Sequence, residues 1–240
     1  FMLAQPQLFP WVRFDLGGLD HIPAEAPAIL LGNHRSYLDP LAIGFTIARR
    51  GRPVRFLGKK EVFDAPIVGE VATALGGIRV DRGTGSDAPL RAAEEALAAG
   101  QLVALMPQGT IPRGPAFFDP ELKGRWGAVR LAHATGVPVI PIGLWGTEQV
   151  WPRSAKVPDV TNLLHPPTVR VRVGAPVPLG GEDVAADTEA MMAAIVDLLP
   201  AAAREVRTPT PEELARTYPG GVVPDGDDAE HERDRRPGTD

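Results

Sequence analysis

Short apolar runs alternate with helical segments along most of this 240-residue chain. A buried run at 28–31 precedes a helical pattern at 38–48, and a second run at 102–106 precedes another helical pattern at 124–135. Chains of this kind pair their strands in parallel and lay the connecting helices over both faces of the sheet. The alternation therefore predicts an α/β fold with a mostly parallel central sheet flanked by helices.

The remaining elements follow the same pattern. The segment 168–173 alternates valine with arginine, which is typical of a strand with one buried face. The segment 88–99 has a proline near its start, an alanine-rich body and a glycine directly after it, as a helix should. Further strands are expected at 55–57, 78–80 and 137–144, and further helices at 61–75 and 188–206.

Composition divides the chain into three parts. Residues 1–20 mix aromatic and aliphatic side chains with few charges, which suits an N-terminal arm that either packs on the domain or lies at a membrane interface. Residues 21–207 carry the alternating pattern and are expected to form the functional domain. Residues 208–240 are rich in proline, glycine and acidic side chains, and we expect them to form a disordered tail.

Bulk composition excludes several classes of protein. The chain has no cysteine, so disulfides, thiol nucleophiles and zinc–thiolate sites are impossible. Its net charge of −5 disfavours a nucleic-acid partner. No apolar run approaches the roughly 18–20 residues that a membrane-spanning helix needs. A basic run at 49–60 is compatible with an anionic surface or a phosphate-bearing ligand.

The most specific chemical pattern is Asn33-His34-Arg35-Ser36-Tyr37-Leu38-Asp39. An apolar strand leads into a histidine, and a carboxylate follows five residues later. Imidazole is suited to accepting a proton near neutral pH, and a carboxylate can hold its other N–H and stabilise the cation that forms. The spacing alone also fits a loop histidine and a helix start at Asp39-Pro40.

Three other blocks accompany this pattern, and together the four resemble the glycerolipid acyltransferase family typified by 1-acylglycerol-3-phosphate acyltransferases. The first block matches the family pattern N-H-x-S-x-x-D. The second, at 78–82, ends in an arginine after a lysine-containing lead-in at 59–63, and the fourth, at 137–142, matches an apolar V-P-V-I-P strand. The resemblance covers roughly residues 20–180 and implies that family's α/β sandwich.

The third block departs from the family. The family pattern is P-E-G-T-R, whereas this chain has Pro107-Gln108-Gly109-Thr110-Ile111. A carboxylate acceptor and a phosphate-binding arginine are therefore missing. Arg113 and Lys123 are candidates to replace that arginine, or they are simply exposed. These departures concern the acceptor more than the reaction, because His34 and Asp39 are retained.

The resemblance implies transfer of a fatty acyl group from acyl-CoA or acyl-carrier protein to a hydroxyl of a lysophospholipid or glycerol phosphate. His34 would be the base and Asp39 its orienting partner. The acyl thioester would be a co-substrate, with no resident cofactor and no metal. We expect the protein at the cytoplasmic face of a membrane, bound peripherally or anchored by a segment absent from this chain. The substrate-binding candidates are Lys60, Arg79, Arg82, Gln108, Gly109, Thr110 and Arg113, with the Gly109 and Thr110 N–H groups as possible oxyanion or phosphate donors.

Several alternatives remain open. The changes at Gln108 and Ile111 would also suit a non-catalytic acyl-CoA or lipid-binding module of the same fold. A serine hydrolase is disfavoured because the chain has no G-x-S-x-G elbow. A metal site built from His34, Asp39, His133 and His165 lacks a short ligand spacing. The glycines at 76–83 fit neither G-x-G-x-x-G nor a P-loop.

Overall fold

A computed structural model describes residues 9–64, 68–74, 76–80 and 88–224. Its sheet has seven strands, and eight α-helices lie within the described residues. The strands are β1 (Arg13–Gly17), β2 (Ala28–Gly32), β3 (Val54–Lys59), β4 (Ile78–Val80), β5 (Leu102–Leu105), β6 (Val139–Trp145) and β7 (Thr168–Val173). The helices are α1 (Asp39–Ala48), α2 (Lys60–Asp64), α3 (Val68–Ala74), α4 (Ala88–Ala98), α5 (Gly127–Thr135), α6 (Thr147–Val150), α7 (Val184–Asp197) and α8 (Pro211–Arg216).

The strand order is β1-β7-β6-β2-β5-β3-β4, and every neighbouring pair is parallel except β6 with β7. The predicted α/β fold with a mostly parallel sheet is therefore confirmed. β2 lies at the centre, and all five of its residues are buried. Parallel strands end at a common edge, where loops carry most functional side chains. We call the edge at which β2, β3, β5 and β6 end the carboxyl edge.

The reversal of β7 places two more segments at the carboxyl edge. Trp145, at the end of β6, pairs with Arg170 near the start of β7, so the connection 146–167 begins and ends there. β1 runs parallel to β7, and the Arg13 N–H donates to the Pro167 carbonyl oxygen at 2.9 Å. The start of β1 therefore lies at the same edge.

Two apolar layers cover the two faces of the sheet. On one face, α1 packs its buried Ile43 and Ile47 against the central strands. On the other face, α4, α5 and α7 pack together, with Leu97, Leu131 and Ile195 almost fully buried. Burying one stripe of each helix in this way is the main source of stability for such a layered fold.

The N-terminal segment is part of the domain from residue 9 onward. Strand β1, which the sequence did not predict, forms one edge of the sheet, and Asp15 accepts hydrogen bonds from Arg170 and Arg172 of β7. Phe14 stacks on Phe45 of α1 with ring centroids 4.3 Å apart. Residues 1–8 lie outside the described residues.

The predicted disordered tail from residue 208 is wrong for 211–221. Thr210 and Glu213 form a reciprocal capping box that starts α8. The segment then docks on the domain: the Thr217 hydroxyl accepts the Gly114 N–H at 2.7 Å, and Tyr218 is buried. Amino-acid composition could predict neither the capping box at Thr210 nor the long-range contact of Thr217 with Gly114. Residues 225–240 lie outside the described residues.

Two predicted helices have different limits in the structure. The helix expected at 61–75 is two helices, α2 and α3, with 65–67 outside the described residues. The helix expected at 188–206 begins earlier, because Asp183 caps it by accepting the Ala185 and Ala186 N–H groups, and it ends before Pro200. Within the described residues, no helix combines the length and apolar character needed to cross a bilayer.

Candidate active site

Asn33 fixes the position at which the chain leaves β2. Its side chain is fully buried and makes two hydrogen bonds to Leu144 of β6, donating to the carbonyl oxygen at 2.9 Å and accepting the N–H at 2.7 Å. An amide side chain can make both bonds at once because it carries a donor and an acceptor. The strand end is therefore held rigidly where His34 begins the next turn.

Asp39 organises the turn that follows. Its Oδ2 accepts three hydrogen bonds, from His34 Nδ1 at 2.8 Å, from the Arg35 N–H at 2.6 Å and from the Ser36 N–H at 2.7 Å. Asp39 is 0% exposed and is the first residue of α1, where the helix dipole favours a negative charge. The carboxylate is thus desolvated, held by backbone donors and aimed at the imidazole.

The ring of His34 is oriented for proton transfer. Because Nδ1 faces a carboxylate, we assign the proton to Nδ1, which leaves the lone pair on Nε2. Nε2 has no hydrogen-bond partner within the described residues, and the side chain keeps 19% of its surface exposed. A buried carboxylate, an oriented imidazole and an Nε2 without a hydrogen-bond partner among the described residues are the features that a general base requires.

Ser36 is not a nucleophile activated by His34. Its hydroxyl donates to the Trp151 carbonyl oxygen at 2.6 Å and accepts the Leu38 N–H at 2.9 Å. Both bonds fix the turn and direct the hydroxyl away from the imidazole. The geometry therefore adds to the argument against a serine hydrolase.

Arg35 is a site residue that the sequence reading did not identify. Its guanidinium lies between the rings of Phe117 and Trp145, 4.3 Å from each centroid, and donates to Glu148 at 3.2 Å. The other Glu148 oxygen accepts the Gly146 N–H at 3.0 Å. Arg35 therefore connects the histidine turn to the start of the β6–β7 connection. No local sequence signal could have revealed this, since its partners lie far away in the chain.

A comparison of the sequence with family models identifies the family. Residues 13–145, more than half of the chain, match the family model described as Acyltransferase. The chain belongs to this acyltransferase family. The resemblance inferred from the four motifs is therefore confirmed.

The relatives of this acyltransferase include enzymes with more specific names and an uncharacterized protein. A chloroplastic 1-acyl-sn-glycerol-3-phosphate acyltransferase of Brassica napus is 29% identical over 178 residues, covering 72% of this chain and 48% of the relative. A 1-acyl-sn-glycerol-3-phosphate acyltransferase of Borreliella burgdorferi is 27% identical over 138 residues, covering 57% and 52%. An uncharacterized protein of Mycobacterium tuberculosis is 29% identical over 165 residues, covering 65% and 44%. The chain spans about half the length of the curated relatives it matches.

A solved structure shows the same fold. The 1-acyl-sn-glycerophosphate acyltransferase PlsC from Thermotoga maritima aligns with a TM-score of 0.53 at 24% identity. The alignment covers 73% of this chain and 68% of that chain. At this identity the comparison supports the architecture of the acyltransferase domain and no finer conclusion.

The divergent third block lies directly against His34. Gln108 Oε1 accepts the His34 N–H at 2.6 Å, so the amide oxygen supplies an acceptor without a charge. Ile111, where the family pattern has arginine, is 2% exposed and belongs to the interior. The Gly109 N–H donates to the Met106 carbonyl oxygen at 2.9 Å and is thus engaged within its own turn, and its role as an oxyanion or phosphate donor stays a prediction. The Thr110 N–H makes no hydrogen bond within the described residues.

A cation reaches this loop from elsewhere in the chain. Arg153, from the β6–β7 connection, donates through Nη1 to the Ile111 carbonyl oxygen at 2.8 Å and to Thr110 Oγ1 at 3.4 Å. The sequence reading missed Arg153 because it lies in a connection without a motif. Arg113 is half-buried and makes contacts of its own, whereas Lys123 is exposed. The loop 107–111, which lacks the arginine of the family pattern, is therefore bordered by two other arginines, Arg153 and Arg113.

The predicted phosphate-binding residues of the second block are more scattered. Lys60 follows β3 at the carboxyl edge and is exposed, two strands from β2. Arg79 lies on the edge strand β4 and pairs with Asp64 at 2.9 Å, so the structure does not bring it to His34. Arg82 lies outside the described residues. Substrate binding by all three stays a prediction.

The other two histidines considered as metal ligands lie apart from the His34–Asp39 pair, which we call the dyad. His133 Nε2 bonds Asp187 at 2.6 Å and connects α5 to α7, and His165 is exposed in the β6–β7 connection. Within the described part of the chain, no group of three or more potential ligands is placed to hold a metal ion.

Proposed function

We propose that this protein transfers a fatty acyl group from acyl-CoA or acyl-carrier protein to a hydroxyl of a lysophospholipid or glycerol phosphate. The product would be phosphatidic acid or a related phospholipid. The observation that carries the proposal is the His34–Asp39 pair, at 2.8 Å, with a wholly buried carboxylate and an imidazole that is 19% exposed. Family membership supports acyl transfer, and the names of the relatives point to lysophosphatidate as the acceptor.

The geometry supports direct transfer in two steps. Nε2 of His34 takes the proton of the acceptor hydroxyl while the hydroxyl oxygen attacks the thioester carbonyl carbon, forming a C–O bond and a tetrahedral oxyanion. Asp39 stabilises the imidazolium that results. When the intermediate collapses, the C–S bond breaks, and the thiolate leaves with the proton returned by Nε2. Cleavage of the thioester supplies the free energy for the transfer, so the proposed reaction needs no further cofactor.

The charge distribution at the carboxyl edge supports an acceptor that carries a phosphate. Arg153 and Arg113 border the loop beside His34, and Lys60 lies at the same edge. A fixed phosphate would hold the acceptor hydroxyl near Nε2, which makes the attack effectively intramolecular. The Thr110 N–H is our candidate donor to the oxyanion, because it makes no hydrogen bond within the described residues.

The alternative is a non-catalytic acyl-CoA or lipid-binding module. Its motivation was the loss of the glutamate and arginine of the third block. The structure gives Gln108 and Ile111 defined roles, as the acceptor for the His34 N–H and as a buried side chain. The complete dyad favours the enzyme.

The test is an assay of the purified protein with palmitoyl-CoA and a panel of acceptors, alongside His34→Ala. We expect acceptor-dependent release of CoA and an acylated product in the mass spectrum, both lost in His34→Ala. Acyl-CoA binding without release for any acceptor would favour the binding module. Release that persists in His34→Ala would rule out the proposed base.

A further inference from the structure

Within the described residues, the exposed large apolar side chains are concentrated at the carboxyl edge. Tyr37 and Leu41 flank the start of α1, directly after the histidine turn. Val206 lies between Glu205 and Arg207, which line a small cavity together with Arg35. The valines at 222–223 follow a segment that reaches the β6–β7 connection, where the Ser154 N–H donates to Arg216. Within the described residues, α4, α5 and α7 expose no large apolar side chain.

The densest part of this surface is the segment 157–164, which we call the apolar loop. Four of its residues are exposed aliphatic side chains: Val157 at 69%, Val160 at 46%, Leu163 at 58% and Leu164 at 89%. Isolated exposed leucines are ordinary, but a cluster of large apolar residues in one short loop marks an interaction site. The loop forms neither helix nor strand.

The apolar loop is connected to the turn that carries His34 through Trp151. Trp151, which follows α6 in the connection, accepts the Ser36 hydroxyl at 2.6 Å through its carbonyl oxygen, and its ring meets the Tyr37 ring edge-on at 5.8 Å. The loop is tied back at its base, where the Asp159 N–H donates to the Val150 carbonyl oxygen at 2.8 Å. The same surface therefore carries the dyad and the exposed aliphatic side chains.

We propose that the apolar loop inserts into the surface of a lipid bilayer and so presents His34 to acceptors held in that bilayer. Projecting aliphatic side chains suit fluid acyl chains, and an aromatic pair at their base suits the headgroup region. Exposed Lys156 directly precedes the loop, and exposed Arg13 lies where the connection returns to the sheet at Pro167, so both complement anionic lipids. The carboxylate within the loop, Asp159, accepts hydrogen bonds from the Thr161 N–H and hydroxyl. The choice of a bilayer as the occupant rests on the proposed function, because its acceptor and product are membrane lipids.

The arginines at the start of the basic run, at 49–52, do not provide this surface. Arg49, Arg50 and Arg52 follow the end of α1, at the opposite edge of the sheet. Arg52 donates to the carbonyl oxygens of Pro23, Ala26 and Gly100 and is therefore bound within the protein. These three arginines therefore take no part in docking at the carboxyl edge.

The test compares two double variants of the same loop in vesicle co-sedimentation. One is Leu163→Ser with Leu164→Ser, and its matched control is Thr161→Ser with Asn162→Ser, which introduces the same residues but keeps the leucines. The vesicles are phosphatidylcholine with and without phosphatidylglycerol. We expect the leucine variant to bind at least about tenfold more weakly. The control should bind like the wild type, and phosphatidylglycerol should strengthen both.

Three results would overturn the proposal. The first is that the wild type sediments with neither vesicle, and the second is that both variants bind equally. The third is that the wild type is a dimer in solution and the leucine variant is a monomer, which would make the loop a contact between copies. Vesicle binding is measured without substrates, so it is independent of the proposed activity. Acyl transfer to a monomeric short-chain acceptor should be the same in the leucine variant and the wild type, which separates docking from chemistry.

Discussion

The side-chain oxygen of Gln108 accepts the backbone N–H of His34 at 2.6 Å. The residue that departs from the family pattern is therefore a direct support of the proposed base. The bond needs an acceptor oxygen and does not need a negative charge.

The first prediction concerns this bond. Gln108→Glu keeps the acceptor, so we expect kcat within about threefold of the wild type, given that only the charge changes. Gln108→Met keeps the length but removes the acceptor, which releases the turn, and we expect kcat to fall by roughly tenfold to a hundredfold. Steady-state assays of both variants check this. Equal activity of Gln108→Met and the wild type would contradict the supporting role.

The second prediction concerns Asp39. Asp39→Asn preserves the size of the side chain but removes the charge that stabilises the imidazolium and fixes its tautomer. We expect kcat to fall by about 10³–10⁴-fold with little change in KM. Single-turnover assays with acyl-CoA would measure the chemical step, and circular dichroism would check that the variant is folded. Activity near that of the wild type would mean that Asp39 is only a helix cap.

The third prediction concerns the stacked arginine. Arg35→Lys keeps the charge but loses the planar contacts with Phe117 and Trp145, so we expect about 1–3 kcal/mol of lost stability. Because Arg35 also positions the turn that carries His34, kcat should fall more than KM rises. Urea unfolding and kinetics measure the two effects. The matched control is Arg204→Lys, at an exposed position, and an equal effect in both variants would refute the role of the stacking.

The fourth prediction is an acid transition of the C-terminal segment. Arg207, together with the Thr210 N–H, lowers the pKa of Glu213 from 4.5 to about 2. A lowered pKa in the folded state means that the stabilisation is complete above pH 4.5 and is lost as the pH falls towards about 2. The start of α8 should therefore fray over this interval, while the Thr217–Gly114 contact and the buried Tyr218 keep the segment docked.

Hydrogen exchange of residues 211–218 across this pH range measures the fraying. Glu213→Gln should exchange faster than the wild type above pH 4.5 and show no step with pH, because it lacks the charge that pairs with Arg207. Glu189→Gln, at an exposed position on α7, should behave like the wild type. Protection of α8 that does not change with pH would contradict the prediction.

Local sequence predicted the dyad because both partners lie in one turn, five residues apart. The buried runs likewise predicted the central strands, since each is apolar over its whole length. Arg35 and Arg153 could not be found in this way, because the residues they bind are 113 and 42 positions away. The docked α8 was missed for the same reason: a capping box starts the helix, but the contact of Thr217 with Gly114 spans 103 residues.

The pairing of β1 with β7 has a consequence for how the chain folds. Arg13 lies opposite Thr168, so this ladder closes a loop of more than 150 residues. Contacts between such distant segments form late, because the entropy of closing the loop must be overcome before the pairing is gained. During synthesis the N-terminal segment emerges well before its partner and must wait while β2 to β6 assemble. The first strand to be made is among the last to be placed.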